Sequence, residues 1–371
     1  MKKIITMVGA SIFENYFKKN DNIKNYYNAI KDKRGKDWDS ETDRIKRIKD
    51  KITEWAKNKP DKKNISAEIK SLLKLKEELK EDFDIYLLCS DTILSRLAGE
   101  IIKDILSQLL NNRRIETKVI SGLQIWDRKE FNAGMSNLIS EIYSIAGGYW
   151  DNVIINITGG YKATIPYLTI LAQINRCPIY YIFEETDALI KIPTIPFSTE
   201  WFDWGTLEKY EKYLTKLDKG ITNKHEVQEL LSSDFYKEYA FLVWTADDLA
   251  ELNPIGKIIF HKYNEKFFRF FAPDEVFALI EKDENLKRLL QKQFANKQQR
   301  ANKTEIKNGH YVYDAGDNQL RIFYQEAEDN IYIYKVFNDH KKYEQYLNST
   351  PFSEDILIKQ NFKERKIKRE V

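Results

Sequence analysis

Cysteine is scarce: the 371-residue chain has two, Cys89 and Cys177, far apart in apolar runs. Two thiols so placed neither staple a chain of this size nor supply the paired ligands of a zinc site, so buried core thiols are expected. Histidine is scarce as well, and no metal site is expected. No apolar run approaches the ~18 residues of a membrane-spanning helix. Met1-Lys2-Lys3-Ile4-Ile5 reads as a strand rather than a signal peptide, because its apolar run is short and meets no small-residue cleavage site. A cytoplasmic chain without a membrane partner is the expectation. There is no G-x-G-x-x-G, which speaks against a dinucleotide cofactor, and no G-x-x-x-x-G-K-[ST], which excludes a P-loop NTPase. Net charge is only +3, so any nucleic-acid surface must be local.

What is present fits a soluble globular chain: 42% hydrophobic and 32% charged residues. At ~100–200 residues per domain, two or three domains are expected. Residues 3–9 read as a buried strand ending in a Gly turn. Residues 18–82 are dense in Lys, Glu and Asp, with Trp38, Ile45, Ile48, Ile52 and Trp55 at helical spacing: a charged amphipathic insertion. A helix from Ala67 to Leu79 follows the Pro60 break. Then strands at Phe83 to Cys89, 118–120, Asn152 to Ile157 and Pro178 to Phe183 alternate with helices at Ile93 to Leu110, Leu138 to Ala146 and Lys162 to Asn175. This alternation predicts parallel strands, right-handed crossovers and a doubly wound α/β sheet over residues 1–200. Residues 206–262, helices followed by a β-wing with the polar tip Thr245-Ala246-Asp247-Asp248, suggest a small winged-helix module. From 267 to 371 a long helical region (Asp274 to Gln299), three strands (His310 to Asp314, Gln319 to Gln325, Asn330 to Phe337), a helix (Lys341 to Leu347) and a basic tail predict an α+β domain with an antiparallel sheet.

In an open parallel sheet, ligands bind outside the carboxyl ends of the strands where the strand order reverses. Three turns fit: Gly9-Ala10-Ser11, Ser90-Asp91-Thr92 and Thr158-Gly159-Gly160-Tyr161-Lys162. The third is the most telling. Two glycines let the backbone approach a phosphate, the following helix offers free N–H groups, and Lys162 adds a cation. A tight strand-to-helix turn with a surface lysine is the plainer alternative.

The run Asn156-Ile157-Thr158-Gly159-Gly160-Tyr161-Lys162-Ala163-Thr164-Ile165-Pro166 resembles the signature of CARF domains, the CRISPR-associated Rossmann-fold sensors. Tyr180-Tyr181-Ile182-Phe183-Glu184-Glu185-Thr186-Asp187 with Ile192-Pro193-Thr194-Ile195-Pro196, and Gly122-Leu123-Gln124 with Phe131-Asn132-Ala133-Gly134, are similar to further stretches of that family. The resemblance covers about residues 1–200; the insertion at 18–82 is less typical. It implies a homodimer that binds a cyclic oligoadenylate, cyclic tetra-adenylate first among them, across its two-fold axis, with no cofactor. Gly9, Gly159, Gly160 and Lys162 would cradle phosphates, with Thr158 in the same turn. Ser11 and Thr92 would contact ribose or phosphate, Ser90 is a further ligand-binding candidate, and Asn156 could instead be structural. Such sensors are usually fused to an effector.

For the effector, HEPN ribonucleases need an arginine shortly before a histidine, and His225, His261, His310 and His340 all lack one. Asp339-His340-Lys341 and Glu364-Arg365-Lys366 fit a PD-(D/E)xK nuclease only superficially. The order of elements resembles instead the RelE family of messenger-RNA interferases. Gln319-Leu320-Arg321-Ile322-Phe323-Tyr324-Gln325 is similar to its arginine-bearing strand, and the segment from His340 to Tyr346 falls where it places a basic cluster and a catalytic tyrosine. The sequence departs from the family in having no lysine pair on the strand before Arg321 and in carrying His340 where arginine is common. The resemblance implies cleavage through the RNA's own 2′-hydroxyl without a metal, on mRNA held by the ribosome. That chemistry needs a base, cations for the phosphorane and an acid for the leaving 5′-oxygen. Arg321 suits a phosphate clamp, and His340 suits an acid or a base. Lys341 or Lys342 would add charge, and Tyr346 would stack or shuttle a proton. Two basic runs, carrying Lys297, Arg300 and Lys303 and then Lys366, Lys368 and Arg369, are candidates for RNA or ribosome contact; either could equally be a solvated face. Two further readings stay open: a ligand-responsive, DNA-binding transcription regulator, which the many acids of 206–262 disfavour, and a sensor that also degrades its ligand.

Overall fold

The computed structural model describes residues 1–110, 114–183, 188–194, 204–316, 319–327 and 330–370. Contacts divide the chain into two compact units, Met1–His261 and Lys262–Val371.

The first unit is built on strands β1 (Lys2–Val8), β2 (Phe83–Ser90), β3 (Ile115–Ile120), β4 (Val153–Asn156), β5 (Ile179–Phe183) and β6 (Ala188–Ile192). They lie in the order β3-β2-β1-β4-β5-β6. The first five run parallel, and β6 returns antiparallel on β5 as an edge strand that the sequence pattern had not predicted. β2 is buried along its whole length, as a central parallel strand covered on both faces must be. One face packs Ile4, Val8, Leu87 and Cys89; the other packs Ile5, Met7, Leu88 and Ile155. Alternate residues of the same strands therefore serve two cores, which is the doubly wound arrangement. Both cysteines are free and buried, and burial pushes the Cys89 thiol up to about 12.

The charged insertion belongs to this core. Its helix Thr42–Asn58 buries Ile45, Ile48, Ile52 and Ala56, one stripe at helical spacing, against the layer that contains Ile101 and Ile105. Lys49 sits 3.2 Å from both Glu100 and Asp104 of the helix Ile93–Leu109. The helix expected from Ala67 to Leu79 is found there; it starts at the Ser66 N-cap and ends on Lys80 in the left-handed conformation.

Residues 204–252 of the first unit form short helices and then a hairpin, β7 (Val243–Ala246) with β8 (Leu249–Leu252). Ile221 bridges Ala250 through two backbone hydrogen bonds of 2.8 and 2.9 Å, adding a third short strand position. The helix Pro254–Glu265 sends Ile255 and Ile258 into the second core, where Tyr143 Oη donates to the Ile258 carbonyl at 3.2 Å.

The second unit has one sheet in the order β10-β11-β12-β13-β9-β14, formed by β9 (Phe267–Ala272), β10 (Thr304–Lys307), β11 (His310–Asp314), β12 (Arg321–Ala327), β13 (Asn330–Phe337) and β14 (Lys363–Lys368). It is antiparallel except where β13 meets β9. The long helix expected before these strands is broken into Asp274–Lys282, Glu284–Leu289, a π-helical turn and Lys297–Asn302. Asp283 and Asn296 interrupt it as N-caps, each accepting backbone N–H groups of the piece that follows. The expected basic tail is also ordered, as β14 on β9. Arg365 and Lys363 both bind Asp274, the latter at 2.6 Å, and Arg365 lies 4.6 Å from the Phe277 ring.

Because Ile52 is fully buried, Ile52→Ala is expected to destabilise the first unit by about 2–5 kcal/mol. Urea denaturation followed by circular dichroism measures this. An unchanged midpoint would mean that the insertion is an appendage rather than part of the core.

Candidate functional site

Strand order reverses between β1 and β4, so the crevice outside their carboxyl ends is where a doubly wound sheet takes a ligand. The turns leaving the two strands touch there. A Cβ on Gly9 would stand 2.9 Å from the Gly160 nitrogen, and one on Gly159 would stand 2.7 Å from the Met7 carbonyl oxygen. Gly160 has φ +85°, and its Cβ would fall 2.5 Å from Met7 Cβ. The Gly-Gly pair is therefore required by the crowding of two strand ends and by a left-handed backbone.

A residue that sequence reasoning missed fills the centre of this crevice. Glu68, in the first turn of the helix Ala67–Leu79, is 0% exposed. Its carboxylate accepts the Gly9 N–H at 2.8 Å and the Ser11 hydroxyl at 2.9 Å, while Ser11 Oγ accepts the Ala67 N–H at 3.1 Å. A Cβ on Gly159 would come within 2.3 Å of Glu68 Oε1. Charge-assisted bonds and the helix N-terminus keep the buried carboxylate satisfied. An acid in a first helical turn is ordinary in sequence; only the fold shows that this one points between Gly9 and Gly159.

The other predicted ligand contacts divide. Ser90 and Thr92 are buried, with hydroxyls 3.2 Å apart. Thr92 caps the helix Ile93–Leu109 through the Ser95 N–H, and Ser95 Oγ donates to the Val8 carbonyl at 2.9 Å. The insertion lies across this turn: Arg34 bridges Thr92, and the Gly35 N–H donates to the Asp91 carbonyl at 3.1 Å. Thr158 Oγ1 donates to Asn156 Oδ1 at 2.7 Å and accepts the Ile182 N–H at 3.1 Å. Asn156 Nδ2 in turn donates to Thr6 and Ser71 hydroxyls at 3.0 and 2.7 Å, which gives Asn156 the structural role left open for it. Lys162 is exposed at the start of a 3-10 turn, Lys162–Thr164, that runs into the helix Ile165–Ile174, and it has no ion-pair partner among the described residues. Gly122 and Gly134 pack backbone against backbone, with a Gly134 Cβ placed 2.3 Å from the Gly122 carbonyl carbon. Residues 184–187, Ile195 and Pro196 of the second resembling stretch lie outside the described residues.

Comparison with known families bears on this unit. Residues 63–195 match the family model of a CRISPR-associated protein (Cas_APE2256). The matched span is about a third of the chain and contains Glu68, β2 to β5 and the Gly159-Gly160 turn. Residues 63–195 are thus similar to a CRISPR-associated family, in a chain that carries a second compact unit. Among solved structures, Can2 from Sulfobacillus thermosulfidooxidans in complex with cyclic tetra-adenylate is similar at 14% identity and a TM-score of 0.24, over 70% of this chain and 74% of that one. At that score the likeness decides nothing about this chain. Among the described residues there is no His, Cys, Asp and Glu grouping able to hold a metal ion, and no helix long and apolar enough to cross a membrane.

In the second unit, Arg321 opens β12 and pairs with Asp314 at 2.9 Å, with its side chain 12% exposed. Its guanidinium carbon lies 5.7 Å from the ring of Tyr343, a buried residue that the sequence reading passed over in favour of Tyr346. Lys307, also passed over, brings its ammonium to 5.9 Å from the same ring and binds Glu305 at 2.7 Å, which raises its pKa. His340 lies 5.6 Å from Tyr343, ring to ring, and 3.0 Å from Glu344. Tyr346 shares Phe323 and Phe337 with Tyr343 but reaches His310 rather than Arg321, and burial raises its pKa. Lys341 and Lys342 are exposed on the first turn of the helix His340–Ser349.

Of the basic runs, Lys297 and Lys368 are exposed. Arg300 is 4% exposed and held by Glu326 at 2.8 Å and the Phe294 carbonyl at 2.8 Å. Lys303 binds Gln293 at 3.0 Å, Lys366 lies over Phe267 at 4.3 Å, and the Arg369 N–H donates to the Lys266 carbonyl at 2.8 Å.

Gly159→Ala is expected to cost about 1–3 kcal/mol by overpacking. Glu68→Ala in the same chain should return part of that loss, giving a coupling of about 0.5–3 kcal/mol between the two positions. A double-mutant cycle in urea measures it. Strict additivity would show that Glu68 does not press on the turn.

Proposed function

We propose that the first unit is a cyclic-oligoadenylate sensor of the Rossmann type, working as a homodimer in the cytoplasm, and that the second is a RelE-like, ribosome-dependent mRNA interferase. The observation that carries the sensor reading is the contact of the Gly9 and Gly159-Gly160 turns at the reversal of strand order, with Lys162 exposed beside them. Backbone N–H groups at a glycine turn and an unpaired ammonium suit a phosphodiester. A ring with two-fold symmetry can be held by two copies of one turn. Glu68 adds an electrostatic condition: its carboxylate sits where phosphate charge would approach, so binding is favoured when Glu68 is moved or neutralised.

The effector reading rests on the convergence of Arg321, Tyr343, Lys307 and His340 within one side-chain cluster. In RNA cleavage the 2′-oxygen attacks phosphorus, a cyclic phosphate forms, and the 5′-oxygen leaves with a proton. Arg321 and Lys307 supply positive charge for the phosphorane once Arg321 releases Asp314, and His340 takes or gives the proton. Lys341 and Lys342, exposed beside His340, extend the surface for RNA. Ribosomal positioning of the mRNA supplies orientation that this partial set of groups lacks. Residues 206–262 are read as a winged-helix module that follows the first sheet along the chain. A sensor acts as a switch only if it binds the active arrangement better than the resting one.

The test is mRNA integrity in a reconstituted translation reaction, with and without cyclic tetra-adenylate. Ligand-dependent cuts within translated frames are expected, lost by at least about tenfold in Arg321→Ala, and lost in Lys162→Ala at ligand concentrations that saturate the wild type. Glu68→Gln is expected to lower the ligand concentration needed. Tight ligand binding without cleavage would sink the ribonuclease reading and favour the DNA-binding regulator; no binding of any ring size would sink the sensor.

A further inference from the structure

The insertion builds a cleft of about 1030 Å³ that the sensor reading does not use. It lies between the helix Ser11–Phe17 with the residues after it, the second half of the helix Thr42–Asn58, and the residues leading into the helix Ala67–Leu79. Its volume is at the upper end of the ~300–1,000 Å³ of small-molecule sites, room for more than a mononucleotide.

Its lining has one dominant sign of charge. Six lysines face two glutamates. Lys51 is matched by Glu54 at 3.0 Å, and Lys63 by Glu77 at 2.7 Å. Lys18 donates to the Asn15 amide oxygen at 2.9 Å, which leaves its charge uncancelled. Lys19 is exposed and has no ion pair among the described residues. Lys59 is half-buried, donates to the Asn64 carbonyl and stands 4.6 Å from the Trp55 ring. Burial lowers its pKa, Asp61 opposes that, and Lys18 and Lys19 lower it further. Cations gathered against one another in a concave wall make a positive field that an anion relieves. Half-buried Trp55, edge-on to Tyr16 at 5.5 Å, adds an aromatic surface.

A basic groove interleaved with aromatic rings is how proteins hold single-stranded nucleic acid without reading its sequence. We propose that this cleft is a second ligand site, one that binds a short linear oligonucleotide through its phosphodiesters, with Lys18, Lys19 and Lys59 on the phosphates and Trp55 beside a base. The site is independent of the reading given to the Gly159-Gly160 turn, although Ser11 belongs to the rim of both.

The experiment uses the full chain and 5′-phosphorylated linear tetra-adenylate RNA, followed by fluorescence anisotropy across a salt series. The double variant Lys18→Gln/Lys19→Gln changes two exposed side chains, and Lys59→Gln is the second variant; thermal melts confirm that each is folded. The double variant is expected to bind at least about tenfold more weakly, with the slope of log affinity against log salt reduced by about 1.4, at about 0.7 for each lost phosphate contact. Lys59→Gln should weaken binding in the same direction. The proposal is overturned by unchanged affinity and slope, by no binding to the wild-type chain, or by pyrophosphate competing as well as the RNA at equal phosphate. Cyclic tetra-adenylate, titrated into the same double variant, separates the two readings. Retained cyclic binding with lost linear binding supports two sites, and equal loss of both overturns the second site. Failure of the cyclic ligand on the wild type leaves the linear result standing and counts only against the sensor.

Discussion

The carboxylate of Glu68 ties the turn after β1 to the helix Ala67–Leu79 and sets how closely the turn after β4 can approach. The turn after β1 cannot leave the helix Ala67–Leu79 without undoing the bonds from Gly9 and Ser11 to Glu68, and the turn after β4 cannot approach further because Gly159 already meets Glu68 and Met7. A buried carboxylate with charge-assisted partners is costly to leave unpaired. The helix that carries Glu68 is therefore fixed to the strand ends, and so is the rest of the insertion packed behind it. The point where strand order reverses, which gives such a sheet its crevice, is here shaped by a segment absent from the minimal strand–helix alternation.

Much of the scaffold was legible in the sequence because local patterning and burial agree. β1, β2, β4 and β5 are apolar runs closed by turn residues, and the helix Ala67–Leu79 has its Ser66 cap and a buried stripe. What escaped was set by distant partners. β6 and β14 are mostly polar or exposed edge strands, specified by the strands they join, β5 and β9, rather than by their own residues. Glu68 reads as solvated charge because its partners Gly9 and Ser11 are 59 and 57 residues away.

The second unit shows the same limit in its side chains. Tyr343 and Tyr346 are about one helical turn apart on one face and both pack on Phe323 and Phe337, yet only Tyr343 also stands beside Arg321, while Tyr346 reaches His310. Lys307 was hidden in a stretch without apolar alternation, and only the pairing of β10 with β11 places it near that tyrosine. Basic residues likewise lose their apparent equivalence: Arg300 is a buried strut on Glu326, whereas Lys297 is free to meet solvent.

β14 pairs with β9 across the sheet, so that Glu364 reaches Arg269 from 95 residues away. The strand that opens the second unit waits for one of the last to be made. During synthesis the chain therefore completes the first sheet, finished by Ile192, long before the second sheet can close. A ribosome stalled or cut short inside the second unit would release a chain that has the β1–β4 crevice but lacks an edge of the second sheet. On the proposed reading, such truncated chains would compete for the sensor's ligand without delivering the output.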